Sequence, residues 1–195
     1  RPDSKPAAMA GAPLFSGDKC ALIVIDVQDY FLAKLPLDWR RPLVERIAWL
    51  MQVASILEIP VIATAEDISN DGPLVPDLEK QLRAGTHVYD KKVFGLCGQS
   101  DILEAVRNTR RSECVLVGLE TDVCIAHSAL GLIDQGFRVA AIEDATASPP
   151  PHHDAGLRRM AAGGVILTNT KGIYYEWVRD IATHARVKSQ INLPM

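Results

Sequence analysis

The chain has little of what marks the larger binding classes. Its 195 residues contain no apolar run near the roughly 18 that a membrane-spanning helix needs, so no membrane partner is expected. Lys and Arg never cluster beyond pairs such as Arg40-Arg41 and Arg158-Arg159, and the net charge is −3, which argues against a nucleic-acid surface. The four cysteines, Cys20, Cys97, Cys114 and Cys124, form no CxxC pair and no zinc-type spacing. Reduced thiols in a cytosol-like compartment are the better reading than a disulfide framework, so a cytoplasmic location is expected, with a trimmed organellar targeting peptide as the alternative. Where the first strand-like run ends, the chain reads Asp26-Val27-Gln28-Asp29, with no GxGxxG and no P-loop. A dinucleotide-binding role loses its main support there. Internal repeats are missing, and the one biased stretch is the proline run 149–151.

What remains is ordinary globular composition, 48% apolar and 23% charged, in a length suited to one domain with a real core. Residues 1–17, rich in Pro and Ala near their start and without an initiator Met, read as a flexible lead. Residues 18–187 read as the domain and 188–195 as a loose tail. Six strand-like runs are visible: Cys20–Ile25, Pro60–Thr64, a weaker Thr86–Asp90, Cys114–Val117, Arg138–Ile142 and Val165–Thr168. Helical patterns lie between them, at about 41–57 with Pro42 in the first turn, around Ile102–Val106, from Thr121-Asp122 to Gly136, at 154–162 and at 173–186. Segment 65–82 reads as a polar loop with at most a short helix, and 148–153 as a proline-rich loop. Strands alternating with helices predict an α/β fold, a doubly wound parallel sheet.

The chain is organised around Glu113–Gly136. A buried strand closes at Gly118, Thr121 and Asp122 are residues of the N-cap type, and Cys124 falls in the first helical turn. Open α/β sheets bind ligands outside the carboxyl ends of their strands. A helix N-terminus favours a thiolate over a thiol. The bland alternative is a small buried hydrophobe, the common fate of a free cysteine. Asp26 ends the first strand and the third runs into Lys91. If strands three, two, one and four lie side by side, Asp26, Lys91 and Cys124 reach one edge. A carboxylate there can take the thiol proton, and a lysine can hold the resulting anions. Taken singly, Asp26 is as well explained as a turn cap and Lys91 as a solvated amine.

Other residues have two readings each. His127, one turn beyond Cys124, is a catalytic partner or a packing residue. His152 and His153 cover the site or sit in a solvated loop, and Asp144 supports the site or caps a turn. Phe31 and Trp39 are pocket wall or ordinary core.

Four segments carry a resemblance: ALIVIDVQDYF at 21–31, DKKVFG at 90–95, GLETDVCIAHSAL at 118–130 and VAAIEDATAS at 139–148. From about residue 18 to 180 the chain resembles the isochorismatase-like cysteine hydrolases, which include nicotinamidases and N-carbamoylsarcosine amidase. Its wording is most similar to the isochorismatase-domain-containing branch. The resemblance implies a Rossmann-like six-stranded sheet of order 3-2-1-4-5-6 with helices on both faces, and a triad of Asp26, Lys91 and Cys124. Lys91 is preferred to Lys92 because it stands three residues before Phe94. The resemblance also implies a cis peptide at Leu119–Glu120 and an oxyanion hole from the N–H groups of Glu120 and Cys124. Gln28, Phe31 and Phe94 are candidates for the substrate pocket.

Two departures from the family pattern shape the expected activity. Nicotinamidases carry metal-binding histidines after strand two, where this chain has Ala65-Glu66-Asp67-Ile68-Ser69. No metal and no cofactor are therefore expected, and nicotinamide should be a poor substrate. Family members that hydrolyse isochorismate lack the cysteine, so Cys124 favours an amide-type C–N bond and a thioester intermediate. The alternatives are an idle family member serving as an oligomeric binding partner, or hydrolysis of a non-amide small molecule. Relatives of this kind are commonly dimers or tetramers, so a homo-oligomer is expected. Helix 41–57 and the final helix with Tyr174, Tyr175 and Trp177 would offer its surface, unless those aromatics pack on the sheet.

Overall fold

The computed structural model describes residues 13–194. In chain order the elements are β1 (Cys20–Ile25), α1 (Asp29–Leu32), α2 (Leu37–Ile56), β2 (Val61–Glu66), α3 (Ile68–Asp71), α4 (Pro76–Glu79) and β3 (Val88–Lys91). A 3₁₀ turn (Leu96–Gly98), α5 (Ser100–Asn108) and β4 (Glu113–Leu119) follow. A π-helical turn (Thr121–Ile125) then runs into α6 (Ala126–Asp134), and β5 (Arg138–Ala147), α7 (His152–Ala162), β6 (Ile166–Thr168), α8 (Thr170–Val178) and α9 (Ile181–Gln190) complete the chain.

The strands form one sheet, parallel at every pairing as the alternation of elements predicts, in the order β3-β2-β1-β4-β5-β6 that the family resemblance implies. Every residue of β1 and β4 is buried, which is why both read as unbroken apolar runs rather than alternating ones. Alternation survives in direction. Leu22 and Val24 of β1 face a core shared with α2 and α8, through Ile47, Leu50, Tyr174 and Trp177. Ile23 and Ile25 face the opposite core, shared with α5 and α6 through Ile102, Val106, Ala129 and Leu132. Register brings the strand ends level: Ile25 stands beside Thr64 and Gly118, and Glu66 beside Lys91. Asp26, Glu66, Lys91 and the turn after Leu119 thus share one edge.

Several boundaries differ from expectation, each for a physical reason. Helix α2 starts at Leu37, which puts Pro42 inside the helix. The first turn was hidden because Leu37 and Trp39 are exposed and add nothing to an apolar stripe. Strand β2 runs on to Glu66, into the segment expected to be loop. His152 and His153 open α7, and β5 continues past Asp144 to Ala147. The last helix is two, broken at Arg179 with φ 65° and restarted by Asp180, whose side chain accepts a hydrogen bond from the Thr183 N–H. Of the expected flexible lead, residues 1–12 lie outside the described residues, but Phe15 is buried and its N–H donates to Glu176. The expected tail is helical as far as Gln190. Among the described residues, no helix is long and apolar enough to cross a membrane.

The expected association surface is mostly interior. The apolar stripe of α2 is core, and Tyr174 and Trp177 are 1% and 5% exposed, packed under the sheet. Tyr175 stays half exposed, while Leu14, Tyr30, Leu37, Trp39, Phe94 and Ile181 are the other large exposed apolar side chains among the described residues.

Candidate active site

The edge is assembled by close backbone approaches. Gly118, at the end of β4, has φ 123°, and a Cβ there would lie 2.0 Å from the Ile25 carbonyl oxygen. Only glycine lets β4 pass β1 at that distance. Directly beyond Ile25, Asp26 adopts φ 53°, a left-handed conformation uncommon for a residue other than glycine. Its N–H donates to the Thr64 carbonyl at 3.0 Å and its Oδ1 accepts from Thr64 Oγ1 at 2.8 Å. Asp26 Oδ2 lies 2.9 Å from Lys91 Nζ, and neither side chain reaches solvent.

Lys91 Nζ donates to the carbonyls of Val93 (2.5 Å) and Phe94 (2.9 Å) and stands 3.4 Å from Cys124 Sγ. An ammonium has three donors. Two go to the carbonyls, which leaves one for Asp26 and Cys124 together. Asp26 Oδ2 accordingly has no well-aligned hydrogen-bond donor despite its ion-pair contact. It keeps a lone pair free to receive a proton. Lys92, the rejected alternative, pairs on the surface with Asp67 (2.6 Å) and Asp90 (3.4 Å).

Cys124 lies in the π-helical turn, 3% exposed. The Glu120 carbonyl accepts from both Val123 N–H and Ile125 N–H, and the Leu119–Glu120 peptide is cis. The turn is anchored from the side. Ser148 Oγ donates to Asp122 Oδ1 at 2.7 Å, and Thr121 Oγ1 meets Thr146 Oγ1 at 3.1 Å and His153 Nδ1 at 2.7 Å. Helix α7 presses on it at Gly156, where a Cβ would sit 2.7 Å from Asp122 Cα.

The electrostatics correct one expectation. Burial pushes the Cys124 thiol up, the charge of Asp26 adds to that, and Lys91 opposes it without prevailing. The net direction is up, towards the thiol, against the thiolate-favouring pull expected of a helix N-terminus. Burial likewise pushes Cys20 and Cys114 to about 12 and Cys97 to about 11, so acidity does not single out Cys124; its neighbours do. Burial raises Asp26 against the pull of Lys91. For Lys91, burial acts downward, but Asp26 and Cys124 outweigh it and the net direction is up.

The structure brings Asp26, Lys91 and Cys124 together and adds a residue that sequence reasoning missed. Glu66 Oε1 lies 3.5 Å from Cys124 Sγ and 3.8 Å from Lys91 Nζ. Gln28, expected at the pocket, is fully buried and its amide clamps this segment. Its Nε2 donates to the Glu66 and Gly72 carbonyls at 2.8 Å each, and its Oε1 accepts from Glu66 N–H at 2.7 Å. Phe31 is core, whereas Phe94 is 59% exposed and offers its backbone carbonyl to Lys91. His127 packs against Gly95, where a Cβ would lie 3.1 Å from the histidine Cβ. Asp144 accepts from Thr170 N–H and Oγ1 at the start of α8. Glu120 is half-buried, and burial raises its carboxyl.

Donor atoms of Asp26, Glu66 and Cys124 lie within 4.8 Å of one another, close enough to suggest a metal. The Lys91 ammonium stands 2.9, 3.8 and 3.4 Å from those same atoms and already supplies the positive charge. The donor set holds no imidazole, and His153 is engaged with Thr121. These residues do not fit a metal of the nicotinamidase kind.

Residues 20–171 match the isochorismatase domain family. Over 168 residues, 86% of this chain and 78% of the relative, the sequence is 30% identical to isochorismatase domain-containing protein 2 of Bos taurus. Among solved structures, YcaC of Escherichia coli, described as an octameric hydrolase of unknown specificity, superposes with a TM-score of 0.81 at 25% identity, covering 95% of this chain and 92% of that one. YcaC of Pseudomonas aeruginosa, solved with hexane-2,5-diol and covalent acrylamide, gives 0.78 at 26% identity over 86% and 84%. Nicotinamidase PncA of Bacillus subtilis shares the fold, at 0.66 and 21% identity over 77% of this chain and 99% of that one.

Proposed function

We propose that this chain, which belongs to the isochorismatase family, is a cysteine-dependent hydrolase of small amide-type C–N bonds. The observation that carries the reading is a buried ion pair, Lys91 Nζ to Asp26 Oδ2 at 2.9 Å, set beside Cys124 Sγ at 3.4 Å on the ligand-binding edge of the sheet. Two buried charges held beside a thiol are costly for folding and useful for proton transfer.

In this reading Asp26 takes the proton of Cys124 as sulfur attacks the substrate carbonyl carbon. The N–H groups of Glu120 and Cys124 receive the developing oxyanion. Asp26 then gives the proton to the leaving nitrogen, and ammonia or an amine departs from a thioester on Cys124. Water attacks the thioester carbon, Asp26 accepts its proton, and the acid leaves as the proton returns to sulfur. Lys91 holds Asp26 and offsets the charge through each step. The Pseudomonas relative, solved with covalent acrylamide, supports a nucleophile in this family that reacts with small amide-bearing compounds. Assembly as a homo-oligomer belongs to the same reading, supported by the octameric relative and by half-exposed Tyr30, Trp39 and Phe94. So does a cytoplasmic location, supported by four free cysteines.

The test is ammonia release from a panel of small amides and carbamoyl compounds. Wild type should turn over at least one of them and Cys124→Ala none. Retained turnover in Cys124→Ala removes the covalent mechanism.

A further inference from the structure

Glu66 is the member of the cluster that the triad does not use. It sits on the last residue of β2, in register with Lys91, and Gln28 fixes its backbone from both sides. Its carboxylate cannot drift far from the sulfur. Unlike Asp26 and Lys91 it reaches the opening, with 15% of its side chain exposed. Its hydrogen bonding is incomplete. Lys91 is 3.8 Å away, its donors turned to Val93, Phe94 and the Asp26–Cys124 side. Oε1 accepts from the Cys124 thiol at 3.5 Å, a weak donor. Among the described residues nothing donates to Oε2. When sulfur attacks, its proton goes to Asp26, and Glu66 loses the thiol contact as well. Oε2 lies on the solvent-reached part of the side chain, so a ligand that covers it displaces water and is favoured when it brings an N–H in its place.

Charge points the same way. Two carboxylates, Asp26 and Glu66, face one lysine in the cluster. Glu120 feels the charges of Asp122 and Glu66 as well, with Lys34 and His152 as the basic groups acting on it. We infer that Glu66 selects the substrate: it accepts an N–H from an amide, ureido or cationic amine group beside Cys124 and turns away anionic acyl compounds. This rests on the proposed cysteine site and adds the substrate class to it.

Alkylation of Cys124 reads the selection without any known substrate. Rates for iodoacetamide, iodoacetate and 2-bromoethylamine are measured on the peptide carrying Cys124 and divided by the rates for free cysteine. In wild type the normalised ratio of iodoacetamide to iodoacetate should exceed about fivefold, the least expected of a charge some 4 Å from the reacting atom, and 2-bromoethylamine should also outpace iodoacetate. Glu66→Gln should bring both ratios to within about threefold of unity, while Glu66→Asp keeps most of the preference. A ratio near one in wild type, or one unchanged in Glu66→Gln, overturns the inference. Failure of the underlying mechanism reads differently: Cys124→Ala would then still release ammonia, whatever the labelling ratios show.

Discussion

Replacing the buried ion pair with neutral side chains should cost less stability than breaking it. At 2.9 Å the attraction between Asp26 and Lys91 is about 6 kcal/mol at an effective dielectric near 20. Both side chains are fully buried, and desolvation removes several kcal/mol per ion, so the net worth of the pair is close to zero. Lys91→Met leaves Asp26 buried without its cation and should lose about 3–5 kcal/mol. Part of that loss comes from the Val93 and Phe94 carbonyls, which lose their donor. The carbonyl loss is common to Lys91→Met and to the double variant Asp26→Asn/Lys91→Met, so the difference between the two isolates the orphaned charge. The double variant should be more stable than Lys91→Met by about 2 kcal/mol, or roughly 4–8 °C in Tm for a chain of this size. The sign with pH follows from Asp26. Burial raises its pKa above the usual 3.8, so the folded state holds the proton more tightly than the unfolded one. Its ionisation therefore lowers stability as pH rises from 3.8 through the raised value. Lys91→Met should show that loss enlarged and the double variant should show none. Urea unfolding between pH 4 and 8 measures both effects. A double variant no more stable than Lys91→Met would mean that Asp26 left without its cation carries no buried-charge penalty, and would refute the reasoning.

Gly118→Ala drives a Cβ to 2.0 Å from the Ile25 carbonyl at φ 123°, backbone against backbone, and should lose about 3 kcal/mol or more by thermal melting; a shift under about 2 °C would show that β1 and β4 can separate. The acid limb of kcat/KM should lie above pH 3.8, because Asp26 must be ionised to accept the thiol proton and burial raises it, and the Lys91 limb should lie above 10.5. An acid limb below 3.8 would remove Asp26 as the base. Nicotinamide should be turned over poorly, with kcat/KM unchanged by zinc or manganese, since Lys91 fills the place between Asp26, Glu66 and Cys124. Efficient, chelator-sensitive turnover would show a metal site built from other residues.

The alternation of strands and helices was legible in local patterns, whereas the sheet order and the grouping of Asp26, Lys91 and Cys124 as a triad came from the family resemblance. Strands β1 and β4 are buried on both faces and show as continuous apolar runs, and each ends at a residue whose chemistry stands out, Asp26 or the turn to Cys124. Glu66 was not legible. An acid in a polar stretch has no signature, and only the register of β2 against β3 places it beside Lys91. The clamp made by Gln28 was not legible for a related reason: an amide at a strand mouth suits a ligand, and only the fold shows that it bonds the backbone of Glu66 and the Gly72 carbonyl. The upward push on the thiol comes from burial and from two carboxylates that arrive from other strands, none of which the local helix pattern shows. Tyr174 and Trp177 could be read as association surface or as core because a run of Tyr174, Tyr175 and Trp177 does not say which side meets the sheet; the fold buries Tyr174 and Trp177 and leaves Tyr175 half exposed.

The central claim is a covalent acyl intermediate on Cys124, and acid-quenched mass spectrometry during amide turnover tests it most directly. The account predicts an adduct of the acyl mass on the peptide carrying Cys124, absent from Cys124→Ala and strongly reduced in Asp26→Asn. Steady ammonia release with no such adduct, persisting in Cys124→Ala, would contradict it.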